Sequence, residues 1–380
     1  MKEQVYTNYR LQLPTEEVIG TLVVRDGIIA DIQPGAQSRY DGEGEYLLPG
    51  LIELHTDHIE QCISPRPKVR WPLNAAVSHH DRTMAAAGIT TVCDAIAIGD
   101  LLPRETLRKD SYAPIIEAIT TQQSAGNLSV DHKLHLRCEL SYDAVAEIVE
   151  DYVNDPYLTL VSLMDHTPGQ RQFANLEKFR EYYMGKHGLT ADEMSDFIQG
   201  RIAAQQEHAD KSREKLVALA KEYNLAIASH DDATPEHVEQ AVTEGANISE
   251  FPTTIAAAKT AKANGLQVLM GAPNLVLGGS HSGNVSAMEL VKEDLVDIIS
   301  SDYVLYSLLQ SIFVIAGVTG QPIYETMRPV TINSAIAIGL ERDRGSLEVG
   351  KQADFLTVHY NQQTNVPTLT QVVKGGRRIA

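Results

Sequence analysis

The sequence predicts a closed (β/α)8 barrel that carries a small all-β satellite, and three observations predict it. From about Leu47 to residue 335, short apolar runs alternate with helical stretches, the pattern of a parallel sheet with crossover helices. Eight such runs fall within roughly 285 residues, near the ~250 residues of a typical barrel. Both ends of the chain read instead as strands with glycine turns.

Taken in order, VIGTLVVRDGIIADIQPG alternates apolar and polar residues and places Asp26-Gly27 between β-branched runs, which is hairpin chemistry. The barrel strands follow as LLPGLIEL ending near Leu54, TTVCDAIAI near residue 94, KLHLRCEL near 138 and LTLVSLM near 164. The other four are LAIAS near 229, ANISEF near 250, LQVLMG near 271 and VDIISS near 301. Residues 171–223, dense in Glu, Lys, Gln and Ala, exceed one crossover helix and read as a helical insertion. GSLEVGKQADFLTVHY and VVKGGRRI then return to strand texture. The expected organisation is a composite β domain from 1–49 and 336–380, with the barrel over 50–335. No GxGxxG follows a strand, so a dinucleotide-binding sheet lacks its fingerprint.

Composition narrows the function classes. Hydrophobic content of 43% and charged content of 22% are ordinary for a globular chain, and no run of about 18 apolar residues exists to span a bilayer. MKEQVYTNYRLQLP lacks the basic flank and apolar stretch of a secretory signal, so a cytoplasmic protein is expected. Cys62, Cys93 and Cys138 are too few for a disulfide framework and read as small buried hydrophobes. A net charge of −18 argues against binding nucleic acid. A small anionic substrate stays compatible if basic side chains, backbone amides or a metal offset the acidic field locally. The composition leaves a homo-oligomer open.

Active sites of such barrels lie at the C-terminal strand ends, and here those ends are rich in imidazole and carboxylate. The first strand ends in His55-Thr56-Asp57-His58, the third in Glu139, the fourth in Asp165-His166, the fifth in His230-Asp231-Asp232 and the eighth in Asp302. Side chains two apart on an extended segment face one way, so His55 and Asp57 can meet at one ion. His55, Asp57, Glu139, His166, His230 and Asp302 form a ligand set for one or two divalent ions. Zn²⁺ is favoured, with Mn²⁺ or Fe²⁺ open, and Glu139 can bridge two ions. A bound metal lowers the pKa of water toward ~7, which makes hydrolysis the expected chemistry. Asp302 is the expected general base. A single His at a strand end alone reads more readily as a hydrogen-bonded structural group, and Asp302 alone reads as a ligand or helix cap without a proton role. His79 and His80, after Ser78, read as capping or supporting groups rather than ligands.

PGLIELHTD, GITTV and LEVGKQADF resemble the amidohydrolase superfamily over nearly the whole chain. That resemblance implies a distorted (β/α)8 TIM barrel with a mono- or binuclear metal centre, and a small β-sandwich built from both termini. The match departs from the family pattern at His55-Thr56-Asp57, where His-x-His is usual, and at Glu139, where a carboxylated lysine is frequent. His166 and His230 also fall one strand before the family's fifth and sixth.

PRPKVRWP, SLMDHTPGQRQFAN, ASHDDAT, EFPTT, LMGAPN, GGSHSGN and SSDY look narrower still, resembling the phosphonate-metabolism branch of that superfamily. This likeness implies a ribose phosphonate triphosphate as substrate, attacked by metal-bound hydroxide at the phosphorus nearest the ribose, with diphosphate leaving. The residues suit such a small anionic sugar phosphate. GGSHSGN offers backbone amides with Ser280, His281 and Ser282, while Arg66, Lys68, Arg137 and Arg171 supply positive charge. The same residues admit plainer readings. Gly278-Gly279 can be only a turn, Arg66, Lys68 and Arg171 solvated charges, and Arg137 the partner of a helix carboxylate. Two other functions remain: an amidohydrolase cleaving a cyclic or acyl C–N bond, and a non-catalytic barrel scaffold. Dependence on the basic residues separates the first, and stoichiometric metal the second.

Overall fold

The computed structural model describes residues 3–36, 42–66, 68–99, 111–171, 176–177, 179–180, 184, 190–280 and 284–380. Strands β1 (Glu3–Gln12), β2 (Glu17–Arg25) and β3 (Ile28–Pro34) form the expected antiparallel meander. Asp26 and Gly27 turn it with φ of 50° and 86°, both in the left-handed region a tight hairpin needs. Gly27 is required twice over, because a Cβ there would lie 2.8 Å from the Gly375 carbonyl oxygen. Next comes β4 (Tyr46–Pro49), parallel to β1.

Eight further strands build the barrel: β5 (Leu51–Thr56), β6 (Ile89–Ile98), β7 (Asp131–Glu139), β8 (Leu158–Met164), β9 (Ala226–His230), β10 (Ile248–Glu250), β11 (Gln267–Gly271) and β12 (Ile298–Ser300). They follow one another in chain order as a nearly closed parallel sheet, and a bridge between Thr56 and Asp302 sets the last against the first. Seven of the eight stand where the sequence placed them; the first run, LLPGLIEL, is split at Gly50, its Tyr46–Pro49 part pairing in the terminal sheet and only Leu51–Thr56 entering the barrel. Their β-branched and aliphatic residues are buried almost without interruption, as expected when both faces of a parallel sheet are covered.

The chain then returns to the terminal sheet with β13 (Phe355–Asn361), β14 (Val366–Lys374) and β15 (Arg377–Arg378). The seven-stranded order is β15-β14-β13-β4-β1-β2-β3, so both termini share one mixed sheet. Leu11, Leu22, Ile29, Leu47, Phe355 and Val373 make its core. In the region read as an insertion, a long helix runs from Ala191 to Glu222. Thr190 caps it, its Oγ1 accepting the Glu193 amide while Glu193 accepts the Thr190 amide. Among the described residues no helix is long and apolar enough to cross a membrane.

Packing divides the chain into two compact units. One comprises Met1–Asp94, Ala118–Lys133 and Met270–Ala380; the other comprises Ala95–Glu117 and Leu134–Leu269.

Candidate active site at the strand ends

In the first unit, β5 is wholly buried and delivers His55 to its end. Glu53, two residues earlier, is fully buried and clamps the first strand to the last. Its carboxylate accepts the His55 amide at 2.7 Å and the Ser301 amide at 2.6 Å. Burial pushes the Glu53 carboxyl up, and these donors only partly oppose it. Ser300 Oγ donates to the His55 carbonyl at 2.6 Å, and Thr56 Oγ1 to the Asp302 carbonyl at 2.9 Å. These bonds hold the segment His55–Thr56, with Asp57 next in the chain, against the segment Ser300–Asp302. Asp302 is half-buried with φ of 54°, a conformation a non-glycine residue holds only when its surroundings impose it.

Behind that end runs a buried polar chain that sequence reasoning did not assemble. Helices α1 (His58–Ile63) and α2 (Leu73–Ala86) follow β5. His80 lies inside α2, not at its start, and its Nε2 meets Asp94 Oδ1 at 2.6 Å. Asp94 Oδ2 meets His132 Nδ1 at 2.7 Å, and His132 Nε2 faces Asp81 Oδ1 at 3.5 Å, an ion-pair distance. Burial would raise the Asp94 carboxyl, yet His132 and His80 outweigh it and hold Asp94 well below the usual carboxylate range.

The second unit carries the ends of β6 to β10. Glu139 closes β7 and is buried. Its Oε2 meets His166 Nδ1 at 2.8 Å, while Arg201 donates to Oε1 at 3.2 Å and Ser141 Oγ to the same atom at 3.0 Å. Burial alone would raise its pKa, but Arg201 and His166 bring it down to about 2. His230 ends β9, buried, with Nδ1 on Glu250 Oε2 at 2.7 Å. Ser162 Oγ donates to the same Glu250 oxygen at 2.7 Å. His230 Nε2 faces Asp231 Oδ2 at 3.4 Å, and His166 Nε2 faces it at 3.8 Å. His166, His230 and Asp231 therefore form a group that could hold a metal ion, their donor atoms all within 4.8 Å of one another.

Glu250, Asp231, Glu53 and Arg201 were missed as site residues. Glu250 and Asp231 had the signal that singled out the others, an acid at a strand end. Glu53 and Arg201 had none, since one precedes the strand end and the other sits in the long helix.

The basic residues separate into two kinds. Arg66 and Lys68 are exposed in the segment between α1 and α2. Arg137 is buried on the same face of β7 as Glu139. Arg171 is also buried, not solvated: its Nη1 bonds Asp232 Oδ1, the His230 carbonyl at 2.9 Å and Ser229 Oγ at 3.2 Å. Ser280 is half-buried, whereas His281 and Ser282 lie outside the described residues. Gly278 is the left-handed cap of the helix Ala272–Leu277. The amides of Gly278 and Gly279 bond the Leu275 and Asn274 carbonyls, so they act as a helix stop rather than as free phosphate donors. Cys62, Cys93 and Cys138 are all buried free thiols.

An eight-stranded parallel barrel with imidazoles and carboxylates at its strand ends, and a terminal mixed sheet beside it, defines a class of hydrolases. Residues 46–379 match the amidohydrolase family, and the chain belongs to it. It is 44% identical to the Escherichia coli K12 alpha-D-ribose 1-methylphosphonate 5-triphosphate diphosphatase over 99% of this chain and 100% of that protein. Among solved structures it resembles the N-isopropylammelide isopropylaminohydrolase of Burkholderia multivorans, with a TM-score of 0.65, 15% identity and coverage of 100% of this chain and 98% of the other. The N-acetylglucosamine-6-phosphate deacetylase of Pasteurella multocida gives a TM-score of 0.60 at 13% identity, covering 99% of both chains.

Proposed function

We propose that this protein hydrolyses alpha-D-ribose 1-methylphosphonate 5-triphosphate to the 5-phosphate and diphosphate. The observation that carries the reading is the 44% identity to the diphosphatase of that name, which leaves neither chain with a substantial unmatched segment. A water oxygen bonds to the phosphorus nearest the ribose, and the bond from that phosphorus to the bridging oxygen of diphosphate breaks.

His55, Asp57, Glu139, His166, His230 and Asp302 are the residues we assign to one or two divalent ions, with Zn²⁺ favoured over Mn²⁺ or Fe²⁺. The donor set fits such an ion, because Glu250 occupies Nδ1 of His230 and leaves Nε2 turned toward Asp231. Asp231 joins the assigned set. When bound, the metal supplies acidified water and neutralises charge on the phosphate oxygens.

Asp302 takes the proton from the attacking water at its carboxylate and returns it to the departing diphosphate. Arg66 and Lys68, free of the core, and Arg137, beside Glu139, are assigned to the phosphates together with Ser280, His281 and Ser282. Arg171 acts there through Asp232 and the His230 carbonyl, holding the strand end in place.

The test is product analysis in ¹⁸O-labelled water, with ordinary nucleoside triphosphates in parallel. The reading expects label in the 5-phosphate and none in diphosphate, and slow turnover of nucleotides. Label in the diphosphate relocates the attack, and equal turnover of nucleotides reduces the protein to a general phosphohydrolase.

A further inference from the structure

We propose that His58, Cys62 and His80 form a second cation site, for a thiophilic divalent ion of the Zn²⁺ type. None of the three belongs to the set assigned above.

His58 and Cys62 stand four residues apart on α1, one above the other on the same face, and His80 reaches them from α2. His58 Nδ1 and His80 Nδ1 are 3.0 Å apart, Cys62 Sγ is 3.6 Å from His58 Nδ1, and all three donor atoms lie within 4.8 Å of one another. A tetrahedral ion with ~2.0–2.1 Å bonds to nitrogen and ~2.3 Å to sulfur sets its nitrogens about 3.3 Å apart and nitrogen about 3.6 Å from sulfur. The His58–His80 edge of 3.0 Å and the His58–Cys62 edge of 3.6 Å are near those values.

The surroundings orient His80 as a metal requires. Asp94 accepts from His80 Nε2 at 2.6 Å, so the ring hydrogen sits there and Nδ1 presents its lone pair to His58 and Cys62. Asp94 is itself fixed by His132 Nδ1 at 2.7 Å. This is the carboxylate–histidine arrangement that steers a ligating imidazole, built one step behind a two-nitrogen, one-sulfur cluster. Such a soft donor set selects Zn²⁺ or Cd²⁺ over Mg²⁺ or Ca²⁺. On binding, the Cys62 thiol becomes a thiolate and releases one proton to solvent as the metal–sulfur bond forms. The ion would link α1 to α2.

The test is titration of the metal-stripped full-length protein with Co²⁺, followed in the near ultraviolet, where only a thiolate ligand gives a strong charge-transfer band. The ligand set assigned to the strand ends contains no sulfur, so the two sites are told apart. The wild-type protein is expected to show the band, Cys62→Ser to lose it together with one equivalent of Co²⁺, and Cys93→Ser to keep both. Absence of the band in the wild-type protein overturns the proposal whether or not the Cys62 variant folds, and so does its persistence in Cys62→Ser.

Discussion

Glu250 Oε2, buried at the end of β10 and level with His230 on β9, lies 2.7 Å from His230 Nδ1 and thereby decides which nitrogen of His230 faces the strand-end cluster. Replacing the carboxylate by an amide keeps the volume but weakens that hold. Glu250→Gln is expected to lower metal affinity and kcat/KM by ~10–100-fold, as for other residues that orient a ligating imidazole. Metal content and steady-state kinetics of the folded variant check it; wild-type values for both would show that Glu250 has only a packing role.

Asp302 is held with positive φ by the Thr56 hydroxyl and the Ser300 side chain, and it takes the proton in the proposed reaction. Asp302→Asn is expected to lower kcat by ~10²–10⁴-fold with a much smaller change in KM. A loss expressed in KM alone would assign Asp302 to binding.

Two arginines should behave oppositely. Arg171 is buried against Asp232, so Arg171→Ala strands a buried carboxylate and should cost ~3–5 kcal/mol of stability in denaturant unfolding. Arg66 is exposed, and Arg66→Ala should leave stability unchanged while raising KM for the triphosphate about tenfold, the loss of one charge-assisted hydrogen bond. Equal stability of the two variants contradicts the distinction.

Stability should depend on pH through His132. Burial lowers its pKa, but the charge of Asp94 and the Asp81 carboxylate outweigh burial and raise it to about 9. The folded value lies above the ~6.5 of an unfolded chain, so the contribution is complete below that pH and fades as pH rises through about 9. A loss of ~3 kcal/mol across this window follows from the shift. His132→Asn should flatten the slope; an unchanged slope in that variant would place its origin elsewhere.

The barrel was legible because a buried parallel strand is apolar on both faces, and eight such runs left little ambiguity. The site was half legible for a related reason. His55, His166, His230 and Asp302 lie within two residues of a strand end, where position implies role. Glu53, Arg201 and His132 act from a strand interior, a distant helix and a strand start, and their roles depend on pairings that span dozens to hundreds of residues. Gly278-Gly279 misled in the opposite direction: the same two glycines suit a phosphate loop and a helix stop, and only the paths of their amides separate the two.

At the heart of the proposed chemistry, imidazoles and carboxylates at the strand ends hold one or two divalent ions. Anomalous diffraction at the zinc edge, from crystals of the protein grown with Zn²⁺, tests it most directly. One or two anomalous peaks are expected, each bonded by members of the assigned set, His55, Asp57, Glu139, His166, His230, Asp231 and Asp302. A map with no peak among those side chains would contradict it.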